Sequence, residues 1–369
     1  MLELNELSAR LQGLPTIFSP FTLLGFGFVA VLCLLAFVVS WSGAAHRERI
    51  DRSLFWIFGL ALVAFAVLRP IGLGRDDLAY VEILKSLCSD GDCSKGSPAT
   101  RDWVWYGLVR LGLPLWPGNL QVALAISGVG VLIKLFVIDR LCKERLLALL
   151  LLIPLSFVQY DLTQLRAGLA SSWMMLGIYW LVRSQLWLGG IALVTNFTLH
   201  SQAIFSPALL GYRVFGLSRW ILPTASLLAL ALLYGGFYPS ASSLAWLGLI
   251  PEAVPYYSGS VNGAYLGVKL FPWAYFLILG YGIWLCDALR LTQRSVSEIA
   301  SAGLFLGMFV AWFFAINPTM QTRIFEFYAV PLVLLAGNVR RSKVRILVTC
   351  LLALVLYLRL ELLHDWILG

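Results

Sequence analysis

The chain has 369 residues, 60% of them hydrophobic and only 12% charged, with a mean hydropathy of +0.85. That balance excludes a soluble globular enzyme, and long continuous apolar runs, as opposed to alternating ones, exclude a β-barrel. The net charge of +8 sits in short loops between apolar runs, so it reads as membrane topology and not as a nucleic-acid footprint.

The first residues, MLELNEL, are acidic where a cleavable signal peptide would be basic, so no such leader is expected. A first span is predicted over Pro20 to Trp41, then a basic turn with Arg47, Arg49 and Arg52. The second, Ser53 to Gly74, opens into a long polar loop over residues 74–118 that carries Asp76, Asp77, Tyr80 and the cysteines Cys88 and Cys93. Trp103, Trp105, Tyr106 and Trp116 are predicted to form an interfacial aromatic belt where that loop re-enters the bilayer. A third span, Asn119 to Ile138, leads to the charged run Asp139 to Arg145. An apolar run, Leu146 to Val158, then gives way to the polar octet Gln159 to Arg166.

Beyond the octet, helices are predicted over Gly168 to Val182 and from Leu186 to His200, with a short segment from Gln202 to Tyr212. Further spans are expected over Ile221–Phe237, Lys269–Cys286, Ile299–Ile316, Ile324–Asn338 and Arg345–Leu363. Residues 238–266, with Trp246, Tyr256 and Tyr257, form a second long loop and a candidate lid. Lys and Arg collect in alternate loops, and placing those loops in the cytoplasm gives about twelve spans with both termini outside. The whole chain, 1–369, reads as one transmembrane domain of an all-α polytopic membrane protein. Loops 74–118 and 238–266 are then extracytoplasmic, where Cys88 and Cys93 can close a small disulfide. Cys33, Cys142, Cys286 and Cys350 read as unpaired.

Leu146–Val158 and Gln202–Tyr212 fall short of the roughly 20 residues of a straight crossing. Short or broken helices are tolerated where they line a polar cavity, so an outward-facing cavity is expected beside them. Arg166, His200 and Arg323 flank that cavity, and charge near hydrocarbon depth is costly enough to suggest a function. A guanidinium fork suits phosphate oxygens, which points to an anionic, lipid-linked substrate. The bland alternatives are an Arg166–Asp161 pair, a helix-end His200 bonded to a carbonyl, an Arg323–Glu326 pair along one helix, and an N-cap role for Asp76. Asn196 precedes His200 by one helical turn and would share its face. Asp77 and Tyr80 would likewise share a face, as carboxylate base and sugar-stacking ring. No histidine pair has metal-ligand spacing, so no metal or other cofactor is expected. Walker A, GxSxG and HExxH patterns are absent, which leaves ATP-driven transport without support.

The run QLRAGLASSWMMLGIYWLVRSQLWLGGIALVTNFTLHSQAIFSPALL resembles the central signature of the EpsG family of Wzy-like polysaccharide polymerases. In that signature an Arg precedes small residues and a helix, then come a basic turn and a helix ending in His. Gly74 to Tyr80 resembles the family's upstream Gly/Asp/Tyr element, with Asp76 or Asp77 in the acidic position, and Thr322-Arg323-Ile324 its late Arg. The resemblance implies a GT-C-like membrane glycosyltransferase of the bacterial cytoplasmic (inner) membrane. It would join undecaprenyl-diphosphate-linked oligosaccharide repeats, as donor and acceptor, into O-antigen or exopolysaccharide on the periplasmic or exterior side, a step of lipopolysaccharide-type biosynthesis. Membrane lipid and a chain-length regulator are its implied partners. Arg166 and Arg323 would bind the departing diphosphate, and Asp77 would be the base. His200 would contact diphosphate or sugar with base as a second role, while Asp76, Tyr80, Gln164 and Asn196 would contact substrate. Inversion without a metal ion is implied. Three alternatives remain open: an O-antigen ligase-like enzyme, a polyprenyl-monophosphate-sugar transferase and a lipid-linked glycan transporter.

Overall fold

The computed structural model describes residues 20–41, 44–70, 77, 80–82, 103–112, 120–215, 221–234, 237, 278–284, 294–314, 318–338 and 342–368. Regular structure among them is helical throughout. In chain order the helices are α1 (Pro20–Trp41), α2 (Ala44–Leu68), α3 (Trp103–Gly112), α4 (Gln121–Leu141) and α5 (Arg145–Leu152). They continue with α6 (Leu165–Val182), α7 (Leu186–Leu199), α8 (Ala208–Val214), α9 (Ile221–Tyr234) and α10 (Arg294–Phe313). The last three are α11 (Pro318–Ala329), α12 (Leu332–Ala336) and α13 (Lys343–Leu368). A π-helix, Ile153–Asp161, prolongs α5, and a 3₁₀ turn, Ser201–Phe205, links α7 to α8. Among the described residues, His46–Leu68, Gln121–Leu141 and Val296–Phe313 are long and apolar enough to cross a membrane. Gly25–Val39, Leu186–Leu199 and Ile221–Leu233 are shorter apolar helices.

Several boundaries differ from the sequence-based expectation. Helix α2 starts at Ala44, so Arg47, Arg49 and Arg52 occupy its first turns, not a loop. It stops at Leu68, six residues early, because Pro70 has no N–H to donate and disfavours helical backbone at Arg69. The octet expected as a polar loop is mostly helical. Pro154 interrupts the donor ladder, the wider i→i+5 pattern takes over, and Leu162 N–H donates to the Phe157 carbonyl at 2.9 Å. Only Leu162, Thr163 and Gln164 form the turn into α6. The expected span Ile324–Asn338 is broken into α11 and α12 at Val330-Pro331. Trp105 and Tyr106 are buried, at 0% and 3% exposure. They pack as core aromatics, not as an interfacial belt.

Glycines set the helix packing. Gly59 of α2 abuts Leu135 of α4, and Gly177 of α6 abuts Leu193 and Gly189 of α7, both antiparallel neighbours. Gly307 and Gly303 of α10 take Tyr328 and Pro331 of the antiparallel α11 segment. Helices α4 and α6 run parallel, since Gly130 meets Leu169 and Ser172 while Phe136 stacks edgewise on Tyr179. Gly168 carries the closest approach near the octet. A Cβ there would lie 2.7 Å from Asp161 Oδ1 and 3.1 Å from the Tyr160 carbonyl. Gly168→Ala is therefore expected to cost about 1–3 kcal/mol by overpacking, read as a lower thermal midpoint in detergent. An unchanged midpoint would refute this reading of the α6–π-helix contact.

One end of the bundle is tied by ions. Asp51 accepts the N–H groups of Arg145 (2.9 Å) and Leu146 (3.3 Å), satisfying the open start of α5. Asp139 accepts from Arg145 Nε at 2.8 Å and from Arg52 at 2.7 Å. The Gly337 carbonyl accepts the N–H groups of Lys143 (2.9 Å) and Glu144 (2.8 Å), which ties the α12 terminus to the same end. The arginines that mark topology in the sequence thus also lock helix ends together.

Candidate functional site

At the opposite end, the π-helix terminus, the start of α6, the end of α7 and the first turns of α11 converge. The π-helix and the 3₁₀ turn each pack against both α6 and α11. Gln164 stands at the N-cap of α6 with non-helical backbone, its carbonyl accepting the Gly168 N–H at 2.9 Å. The Thr163 hydroxyl donates to the Gln159 carbonyl. Ser171 and Ser172 both donate to the Gly168 carbonyl at 2.8 Å, so the small residues after Arg166 turn their hydroxyls inward and allow close packing.

Arg166 meets Tyr80. Its backbone N–H donates to the Tyr80 hydroxyl at 3.4 Å, and its guanidinium carbon lies 5.8 Å from the Tyr80 ring centre. That is cation–π range. Tyr80 leans on Trp105, which in turn meets Tyr106 edge-on, at centroid distances of 5.5 and 5.1 Å. Tyr80 is thus an aromatic wall beside a guanidinium. Asp77 is fully buried, and its two oxygens accept from Arg69 Nη1 (2.5 Å) and Nη2 (2.7 Å). Both side chains of this bidentate pair are at 0% exposure, so the acidic stretch is moored to the end of α2.

Arg323 approaches from α11. Tyr160 donates its hydroxyl to the Arg323 carbonyl at 3.3 Å and packs edgewise on Phe327. The Gln159 amide donates to the Glu326 carboxylate. Neighbouring residues of the octet therefore hold the two arginine-bearing elements, with Arg166 on one flank and Arg323 on the other. Both side chains are half-buried.

His200 caps α7 in extended backbone, after the helix ends at Leu199. Its relation to Asn196 is a backbone bond, His200 N–H to the Asn196 carbonyl at 3.2 Å, and not a shared helical face. The Asn196 side chain is fully buried and its amide nitrogen donates to Ser206 Oγ at 3.2 Å, bracing the 3₁₀ turn. Gln202 and Gln321 are also buried, at 5% and 2% exposure, on the packed 3₁₀ turn and α11. Gln202 Oε1 and Gln321 Nε2 have no hydrogen-bond partner among the described residues.

Two charged residues of this region are not among those the sequence singles out. Lys134 Nζ donates to both oxygens of Asp161, at 2.7 and 2.6 Å, in a pair at 0% exposure. The Arg166–Asp161 pair, one of the bland alternatives, is not what forms, because Asp161 already has a cation from α4. Lys134 is the only charged residue between Gln121 and Ile138, so the charge-at-depth rule that marks Arg166 applies equally to it. Arg69, hidden in the sequence at the end of an apolar run, is the other. Asp76, the Cys88–Cys93 pair, Trp116 and the 238–266 loop lie outside the described residues.

An all-helical bundle with spans of membrane length, charges paired inside it and two arginines gathered at one polar break defines a polytopic membrane protein. The model of the EpsG family matches residues 52–364, from α2 almost to the end of α13. The chain belongs to the EpsG family, a family of Wzy-like polysaccharide polymerases. No curated protein and no solved structure matches it.

Proposed function

We propose that the protein is a membrane glycosyltransferase that polymerises undecaprenyl-diphosphate-linked oligosaccharide repeats on the extracytoplasmic side of the inner membrane. The observation that carries this reading is the gathering of Arg166 and Arg323 around one polar break, with Tyr80 as a wall beside Arg166. Fixed guanidinium groups stabilise a departing diphosphate most strongly where water is scarce. Their position at the end away from the Asp51–Asp139–Arg145 cluster supports a site opposite the cytoplasmic face. The glycosidic bond forms as the acceptor hydroxyl attacks the anomeric carbon opposite the leaving diphosphate, so inversion is expected. His200, half-buried beside the 3₁₀ turn, takes the acceptor proton. Asp77, with both oxygens on Arg69, anchors the Tyr80 segment instead of acting as the base. Gln164 and Asp76 contact the sugars, and Asn196 shapes their site through Ser206. Neutralisation by two arginines removes the need for a divalent metal.

The test uses purified full-length protein in detergent with a synthetic undecaprenyl-diphosphate oligosaccharide repeat, with and without chelator. A chelator-resistant ladder of chain lengths is expected. Transfer of one repeat to a foreign acceptor without a ladder would favour a ligase. Movement of intact lipid across liposomes without any transfer would favour a transporter.

A further inference from the structure

The Lys134–Asp161 pair ties together the two arginine arms. Asp161 is the last residue of the π-helix and is gripped from three elements. Lys134 of α4 donates to both carboxylate oxygens, and Ser127 of α4 donates to the Asp161 carbonyl at 2.7 Å. Within the π-helix, Ser156 Oγ accepts from Lys134 at 2.7 Å and donates to Asp161 Oδ2 at 3.4 Å. Gly168 of α6 lets that helix come against the carboxylate. The ammonium spends all three of its donors here. One residue before Asp161, Tyr160 holds the Arg323 carbonyl; five residues after it, Arg166 lies over Tyr80.

We infer that Lys134 and Asp161 are positioning residues: their ion pair fixes the register of the π-helix terminus and so sets the spacing of Arg166 and Arg323 across the site. The inference rests on the polymerase reading above. Stability alone does not account for such a pair, since apolar residues of similar volume often replace a buried ion pair without loss. What apolar packing does not supply is a directional anchor with every donor engaged, at the point where the π-helix ends and the chain turns into α6. π-Helical turns recur at functional sites for the same reason: they re-aim side chains that a regular helix would leave a fraction of a turn away.

The pair is tested with Lys134→Met/Asp161→Leu in the full chain, which removes both charges together. Expected is a monodisperse protein whose thermal midpoint stays near that of wild type. Its kcat for ladder formation should fall about 100-fold, the scale of an ångström-sized misplacement, while KM for the lipid-linked repeat changes little. A purely structural role would instead lower the midpoint and leave kcat per folded molecule intact, overturning the inference. Lys134→Gln/Asp161→Asn keeps the shapes without the charges and serves if the first variant does not fold; wild-type kcat in either folded variant refutes the positioning role. Failure of both to fold makes the pair a folding determinant and equally overturns it. A wild-type protein that gives no ladder fails the polymerase reading and takes this inference with it.

Discussion

Arg166→Ala is expected to lower kcat for polymerisation by about 10²–10³-fold, the usual loss for one preorganised charge-stabilising group. Arg166→Lys should recover little of it. Lysine keeps the charge but lacks the planar fork that binds two phosphate oxygens at once. The backbone N–H of Arg166 bonds to the Tyr80 hydroxyl irrespective of side chain, so the substitution leaves that contact in place. The Lys134–Asp161 pair is complete without Arg166, so removing the guanidinium strands no partner at Asp161 and the fold should tolerate the change. The measurement is ladder formation alongside the affinity for undecaprenyl diphosphate alone. A Lys variant within about threefold of wild type in both would show that a point charge suffices, and the clamp reading would fail.

Asp77→Asn is expected to be damaging through Arg69, not through lost base catalysis. The carboxylate holds the guanidinium by two bonds of 2.5 and 2.7 Å with no solvent access to either side chain. Removing one charge leaves the other buried and uncompensated, a cost of about 3–5 kcal/mol, seen as a drop of roughly 10 °C or more in thermal midpoint. The double substitution Arg69→Met/Asp77→Leu removes both charges and should recover most of that stability. Its activity then separates two roles that the single variant confuses. If Asp77 moors the Tyr80 segment, the double variant regains measurable polymerisation. If Asp77 is the general base, the double variant is stable and inert, and the assignment of proton transfer to His200 falls.

The arginines were legible in the sequence because each ends a polar break between two apolar runs, and the cost of a charge near hydrocarbon depth does not depend on tertiary detail. The same rule applied to Lys134, yet one residue inside an otherwise unbroken 21-residue helix reads as a span that tolerates a snorkelling lysine. Snorkelling and pairing share one sequence pattern. Only the arrival of Asp161 from the next helix separates them. His200 and Asn196 show the reverse error: four-residue spacing predicted a shared face, but α7 ends at Leu199 and extended backbone at His200 breaks the helical register.

Composition and the period of the apolar runs were enough to establish a helical membrane protein with charge gathered near a polar break. Hydrocarbon demands internally satisfied backbone and penalises each charge one residue at a time. Which acid meets which cation was left to the tertiary structure, as was the continuation of α5 into a π-helix through the first three residues of an expected loop. Those outcomes depend on approach distances between helices, here granted by Gly130 and Gly168. A linear pattern carries the cost of a buried charge, but the partner that offsets it is chosen by packing.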